Sequence, residues 1–136
     1  MATVLVIEDN PANMTLTVIL LESVGHTVLS ATNAEAGLRL ARCELPNLIL
    51  MDIQLPGMDG LQATRLLKQD EATRAIPVIA VTAMAMKGDE ERIRAAGCDG
   101  YIAKPMSYPE FLATVAAQLG VADPPSSGTV AAASGL

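Results

Sequence analysis

Leu48-Ile49-Leu50-Met51-Asp52-Ile53-Gln54-Leu55-Pro56-Gly57-Met58-Asp59-Gly60 is the stretch on which the fold turns. Its four leading apolar residues read as a strand buried on both faces, and strands of that kind belong to parallel sheets covered by helices on either side. The run stops at Asp52 and gives way to a Pro-Gly turn signal. A carboxylate therefore sits where a core strand emerges into a loop. An ionised group at such a mouth is costly unless something compensates it, so its neighbours should explain it.

On the N-terminal side, Val4-Leu5-Val6-Ile7 is a second unbroken apolar run, followed at once by Glu8-Asp9-Asn10-Pro11. Asn10 as N-cap with Pro11 at the first helical position starts a helix, which runs to about Val24 on an apolar stripe of Leu16, Ile19, Leu20 and Val24 before Gly25 stops it. Residues 27–31 read as a strand nearer an edge. Thr32-Asn33-Ala34-Glu35 then has the form of a capping box and opens a helix to roughly Cys43.

On the C-terminal side, Asp59-Gly60-Leu61-Gln62 has the capping-box form and begins a helix to about Gln69. Pro77 introduces a fully apolar strand over 78–81 that ends on Thr82, and a helix is expected from Ala83 to Ala96 with Gly97 as its stop. Residues 100–103 form a last short strand ended by Lys104-Pro105. Ser107-Tyr108-Pro109-Glu110 caps a helix through Leu119 with Phe111, Val115 and Leu119 on one face. Gly120 closes the domain. Residues 121–136, rich in Pro, Ser, Gly and Ala and almost uncharged, read as a flexible tail.

Five strands alternating with five helices call for a doubly wound α/β domain: a parallel sheet with right-handed crossovers and helices on both faces. The 136 residues suffice for one such domain over residues 1–120. An apolar fraction of 51% with only 2% aromatic residues builds a core of aliphatic side chains and leaves no platform for stacked bases. The net charge of −6 and the lack of a basic cluster argue against nucleic-acid binding. No apolar run approaches the ~20 residues of a membrane span and no leader pattern precedes residue 3, so a cytoplasmic location is expected. Cys43 and Cys98 lack metal-ligand or redox spacing and are expected as small buried hydrophobes. His26 reads as a surface residue, and Met84 and Met86 as core fillers in preference to lining a partner groove.

In such a sheet function collects beyond the carboxyl ends of the strands. The strand ends here supply Glu8 and Asp9, then Asp52, then Thr82, then Lys104. Carboxylates crowded to ~4 Å repel by about 4 kcal/mol per pair at an effective dielectric near 20. A divalent cation removes that cost, and Mg²⁺ suits one or two carboxylates plus phosphate oxygens. Asp9 and Asp52 would ligate directly, the backbone carbonyl of Gln54 would add a ligand, and Glu8 would act through water. Lys104 offers a point charge and Thr82 a hydroxyl to phosphoryl oxygens. Asp52 is then a nucleophile for phosphoryl transfer. Asp59 reads as a helix cap and is left out of the set.

These residues resemble the receiver domains of two-component signalling, the CheY-like response regulators. The likeness rests on Val-Ile-Glu-Asp-Asn at 6–10, Met-Asp-Ile-Gln-Leu-Pro-Gly-Met-Asp-Gly at 51–60, Ala-Val-Thr-Ala at 80–83 and Tyr-Ile-Ala-Lys-Pro at 101–105. Met-Lys-Gly-Asp-Glu-Glu-Arg at 86–92 with Ala-Gly-Cys-Asp-Gly at 96–100 is most similar to DivK-type single-domain regulators and to receivers of hybrid kinases. The resemblance implies the strand order 2-1-3-4-5, the flavodoxin-like order. It also implies that Asp52 takes a phosphoryl group from a histidine kinase or histidine phosphotransfer protein, with Mg²⁺ held by Glu8, Asp9, Asp52 and the Gln54 carbonyl. Thr82 and Tyr101 would form a switch pair that reshapes the face of the fourth helix, fifth strand and fifth helix for a downstream protein. A phosphorelay shuttle and a receiver fragment of a hybrid kinase remain alternatives within that family. Outside it stands an aspartyl-phosphate phosphatase, which usually needs a second Asp two residues after the nucleophile, where this chain has Gln54. As a regulator the chain is not an enzyme beyond its own phosphorylation and dephosphorylation.

Overall fold

Unbroken apolar runs that end on turn or cap residues become strands, and the stretches between them become helices. A computed structural model describes residues 2–83, 87–103 and 107–120. Lys104, Pro105, Met84, Met86 and the segment 121–136 lie outside the described residues. The strands are β1 (Thr3–Ile7), β2 (Thr27–Ala31), β3 (Leu48–Asp52), β4 (Val78–Thr82) and β5 (Gly100–Ala103). They alternate with α1 (Pro11–Ser23), α2 (Ala34–Glu44), α3 (Gly60–Gln69), α4 (Lys87–Ala95) and α5 (Tyr108–Leu119). The sheet is all parallel in the order β2-β1-β3-β4-β5, as expected, with the 27–31 strand at an edge.

Strand alternation divides the interior into two layers. Leu5, Ile7, Ile49, Met51, Val78 and Ala80 pack with α2, α3 and α4 through Ala34, Ala41, Leu61, Leu67, Ile93 and Ala96. Val4, Val6, Leu48, Leu50, Ile79, Val81 and Ile102 pack on the other face with Leu20 and Leu21 of α1 and Phe111 and Val115 of α5. Leu48, Ile49, Leu50 and Met51 are all completely or almost completely buried. Each removal from water contributes about 1.5–3 kcal/mol, which makes β3 the axis of the domain.

The helix starts follow the capping chemistry. Asn10 Oδ1 accepts from the Asn13 N–H at 3.0 Å, Asp59 Oδ1 from the Gln62 N–H at 2.8 Å, and Ser107 Oγ from the Glu110 N–H at 3.3 Å. At α2 the cap is Asn33, not Thr32, its Oδ1 accepting from the Ala36 N–H at 2.8 Å. Both residues are good caps, and Asn33 is the one whose backbone stays extended, at φ −148° and ψ 168°, outside the helix.

Three further expectations are corrected. The buried residues of α1 are Thr17, Leu20 and Leu21, while Ile19 is 58% and Val24 42% exposed. That helix is apolar nearly all round, so its sequence has no single stripe to find. Cys43 is exposed, two residues past the buried Ala41 and so on the far side of α2, whereas Cys98 is buried. Ala83 lies in a bend, and the described part of α4 begins at Lys87.

The C-cap of α2 is Leu45, held at φ 47° because Pro46 forbids another helical turn. An L side chain pays for this left-handed conformation, and Leu45 is largely exposed, so it gains little from packing. Leu45→Gly should raise stability by about 0.5–1 kcal/mol, read as a higher urea midpoint with an unchanged slope.

Candidate functional site

Register aligns the polar residues at the carboxyl end of the sheet. Ile7 is opposite Met51 in the β1–β3 pair, so Glu8 stands level with Asp52. The β1–β2 ladder runs on by one bond, the Glu8 N–H donating to the Ala31 carbonyl at 3.0 Å. Alternation then puts Glu8, after Val4 and Val6, on the same side of the sheet as Asp52, after Leu48 and Leu50. Asp9 follows on the exposed corner before α1. Glu8, Asp9 and Asp52 each bring a carboxylate oxygen to within 4.8 Å of the others.

Burial sharpens the consequence. Glu8 and Asp52 are each 5% exposed. At 4.8 Å and an effective dielectric near 20, a like-charge pair is repelled by about 3.5 kcal/mol. Backbone amides offset part of this: the Asn10 N–H donates to Glu8 Oε2 at 3.1 Å and the Gln54 N–H to Asp52 Oδ1 at 3.0 Å. Three acidic oxygens within 4.8 Å, two from buried groups, are the hard donor set that suits a small divalent ion. Gln54 is exposed at the mouth directly after the strand.

Asp52 pairs with Val81 across β3–β4, which sets Thr82 one step further out. Thr82 is 1% exposed and follows Ala80 on the opposite face of the sheet from Asp52, the face covered by α4. Tyr101 lies on that same face, level with Ala80, half-buried against the α2–α4 core. Its hydroxyl donates to Glu90 Oε1 on α4 at 3.1 Å, and this bond, with the charge of Glu90, raises the phenol above its ordinary pKa. Of the expected site residues, Glu8, Asp9, Asp52 and Gln54 share one side of the rim, and Thr82 and Tyr101 adjoin on the other. Lys104 lies outside the described residues.

Two contributors were not singled out in the sequence. Glu90, the acceptor for Tyr101, gives no sequence signal, since the contact depends on where α4 crosses β5. Gly60 does: glycine is a poor choice for the first residue of a helix after a good cap, which hints at a steric need. A Cβ there would lie 2.2 Å from the Asp52 carbonyl oxygen, and the Gly60 N–H donates to the Ile53 carbonyl at 3.0 Å. The close approach of α3 to the end of β3 thus fixes the peptide that carries Asp52.

Residues 4–116 match the response regulator receiver domain. The chain belongs to that family. It is 53% identical over 117 residues to the polar-differentiation response regulator DivK of Brucella anthropi, covering 86% of this chain and 95% of that protein. Among solved structures it is similar to the receiver domain of the sensor histidine kinase PA1611 of Pseudomonas aeruginosa PAO1, with a TM-score of 0.82, 36% identity, and coverage of 88% of this chain and 98% of that one. That neighbour holds a magnesium ion coordinated in its active-site cleft. A CheY-like receiver domain protein from Methanospirillum hungatei superposes with a TM-score of 0.82 at 29% identity, covering 88% of this chain and 94% of that one. The protein is thus a CheY-like receiver domain of two-component signalling, homologous to DivK, and a signalling protein. Receiver domains take phosphoryl groups from kinases and act on downstream partners. Among the described residues no helix is long and apolar enough to cross a membrane.

Because the Gly60 Cα faces backbone and not a movable side chain, Gly60→Ala should lower stability by about 3 kcal/mol. A urea midpoint within experimental error of the wild type would show that α3 does not clamp the end of β3.

Proposed function

We propose that Asp52 is the phosphoacceptor of a DivK-type single-domain response regulator. The observation that carries this reading is the level placement of buried Asp52 and Glu8, with Asp9 beside them, at the carboxyl end of a receiver-domain sheet. Glu8, Asp9 and Asp52, with the Gln54 backbone carbonyl, would hold Mg²⁺. Bound there, the ion supplies charge neutralisation for the carboxylates and for phosphoryl oxygens.

The reaction follows from the chain's own groups. A carboxylate oxygen of Asp52 attacks the phosphorus of a phosphohistidine on a histidine kinase or histidine phosphotransfer protein. A P–O bond forms to Asp52 and the P–N bond breaks, leaving the donor imidazole with its electron pair and, in water, a proton. The Gln54 N–H on Asp52 Oδ1 fixes the orientation of the carboxylate at the strand end. Lys104 supplies positive charge to the transferred group, and hydrolysis by water resets the site. The domain thereby catalyses its own phosphorylation and dephosphorylation and turns over no other substrate.

Readout uses the other side of the sheet. The Thr82 hydroxyl bonds the phosphoryl group, Tyr101 turns inward behind it, and the α4–β5–α5 face changes shape for a protein partner in the cytoplasm. Such a switch is a population shift, driven because the new charge-assisted bonds exist in one state only. Residues 1–120 constitute this unit.

Intact-mass measurement after incubation with acetyl phosphate and Mg²⁺ tests the assignment. One base-labile phosphoryl adduct is expected on the wild type and none on Asp52→Asn. An adduct persisting in Asp52→Asn would place the acceptor elsewhere, and steady turnover of a phosphate ester would favour a phosphatase.

A further inference from the structure

We infer that Glu90 is a latch: its carboxylate holds Tyr101 against α4 and so opposes the inward turn of the ring. This inference rests on the proposed role of Tyr101 as a switch residue. The Tyr101 hydroxyl donates to Glu90 Oε1 at 3.1 Å, a charge-assisted bond between the edge strand β5 and the helix packed on it. Glu90 is itself steadied by Arg94 one turn later, whose Nε lies 3.6 Å from Glu90 Oε2. The two carboxylate oxygens are therefore divided between partners, one fixing Glu90 on α4 and the other fixing Tyr101.

The surroundings make the latch meaningful. Tyr101 stands level with Ala80, and Thr82 occupies the next position outward on the same face. Beside Thr82 the described residues enclose a cavity of about 10 Å³, lined by Ile53, Leu61, Thr82, Asp89, Arg92 and Ile93. That is room for no more than a water, far short of a phenol ring. The raised pKa of the Tyr101 hydroxyl, which keeps its proton, agrees with a bond to a charged acceptor.

A bond present in one of two conformations shifts their ratio by its net worth. Losing it should raise the ratio of inward to outward Tyr101 roughly threefold to tenfold. Glu90→Gln, which keeps a neutral acceptor, should shift the ratio less than Glu90→Ala. The χ1 populations of Tyr101, from three-bond couplings in the unphosphorylated full chain, read this directly. The rate of Asp52 phosphorylation by acetyl phosphate should rise by a similar factor. Unchanged χ1 populations in Glu90→Ala would overturn the latch, whatever happens at Asp52. Failure of every protein to form the Asp52 adduct would overturn the phosphoacceptor reading, while the χ1 populations would still decide the latch.

Discussion

Repulsion among Glu8, Asp9 and Asp52 is the constraint to which the other features of this domain answer. The interior of the sheet is aliphatic, and β1 and β3 carry two carboxylates to its rim with almost no access to water. Their level placement is a consequence of parallel pairing in one register; a slip of one residue would send one of the two to the opposite face. Two backbone amides and the close packing of Gly60 behind Asp52 hold the carboxylates in place, although apolar neighbours and like charges would both prefer them apart. Gathering these carboxylates during folding pre-organises the site for positive charge, since most of the cost of assembling ligands is then already met.

The same alternation that forms two hydrophobic layers separates two tasks. Glu8 and Asp52 fall on the side of α1 and α5, and Thr82 and Tyr101 on the side of α4. Chemistry proposed at Asp52 is therefore one strand away from, and on the other face to, the groups proposed to report it. β4 connects them: Val81 is opposite Asp52 and Thr82 is the next residue. The Tyr101–Glu90–Arg94 chain extends that connection to the surface of α4.

Much of this was legible in the sequence because the strands are unbroken apolar runs, each ended by a residue that cannot continue them. Leu48 to Met51 ending on Asp52, and Val78 to Val81 ending on Thr82, fix both the sheet and what stands at its rim. The family motifs supplied the strand order. Helix faces were less legible where several apolar residues compete: α1 buries Thr17 and leaves Ile19 outside, which no count of apolar spacing favours. Adjacent caps such as Thr32 and Asn33 both suit a helix start, so residue type alone does not choose between them. Glu90 was not legible at all, because its bond to Tyr101, eleven positions on, exists only once α4 lies across β5.

The most direct measurement is the urea midpoint of the wild-type chain in chelator and in excess Mg²⁺, set beside Asp9→Asn. If the crowded carboxylates are poised for a dication, Mg²⁺ at a hundred times its dissociation constant stabilises the wild type by about 2.7 kcal/mol. Asp9→Asn is then more stable than the wild type in chelator and loses most of the response to Mg²⁺. Equal wild-type midpoints with and without Mg²⁺ would contradict the electrostatic basis of the site.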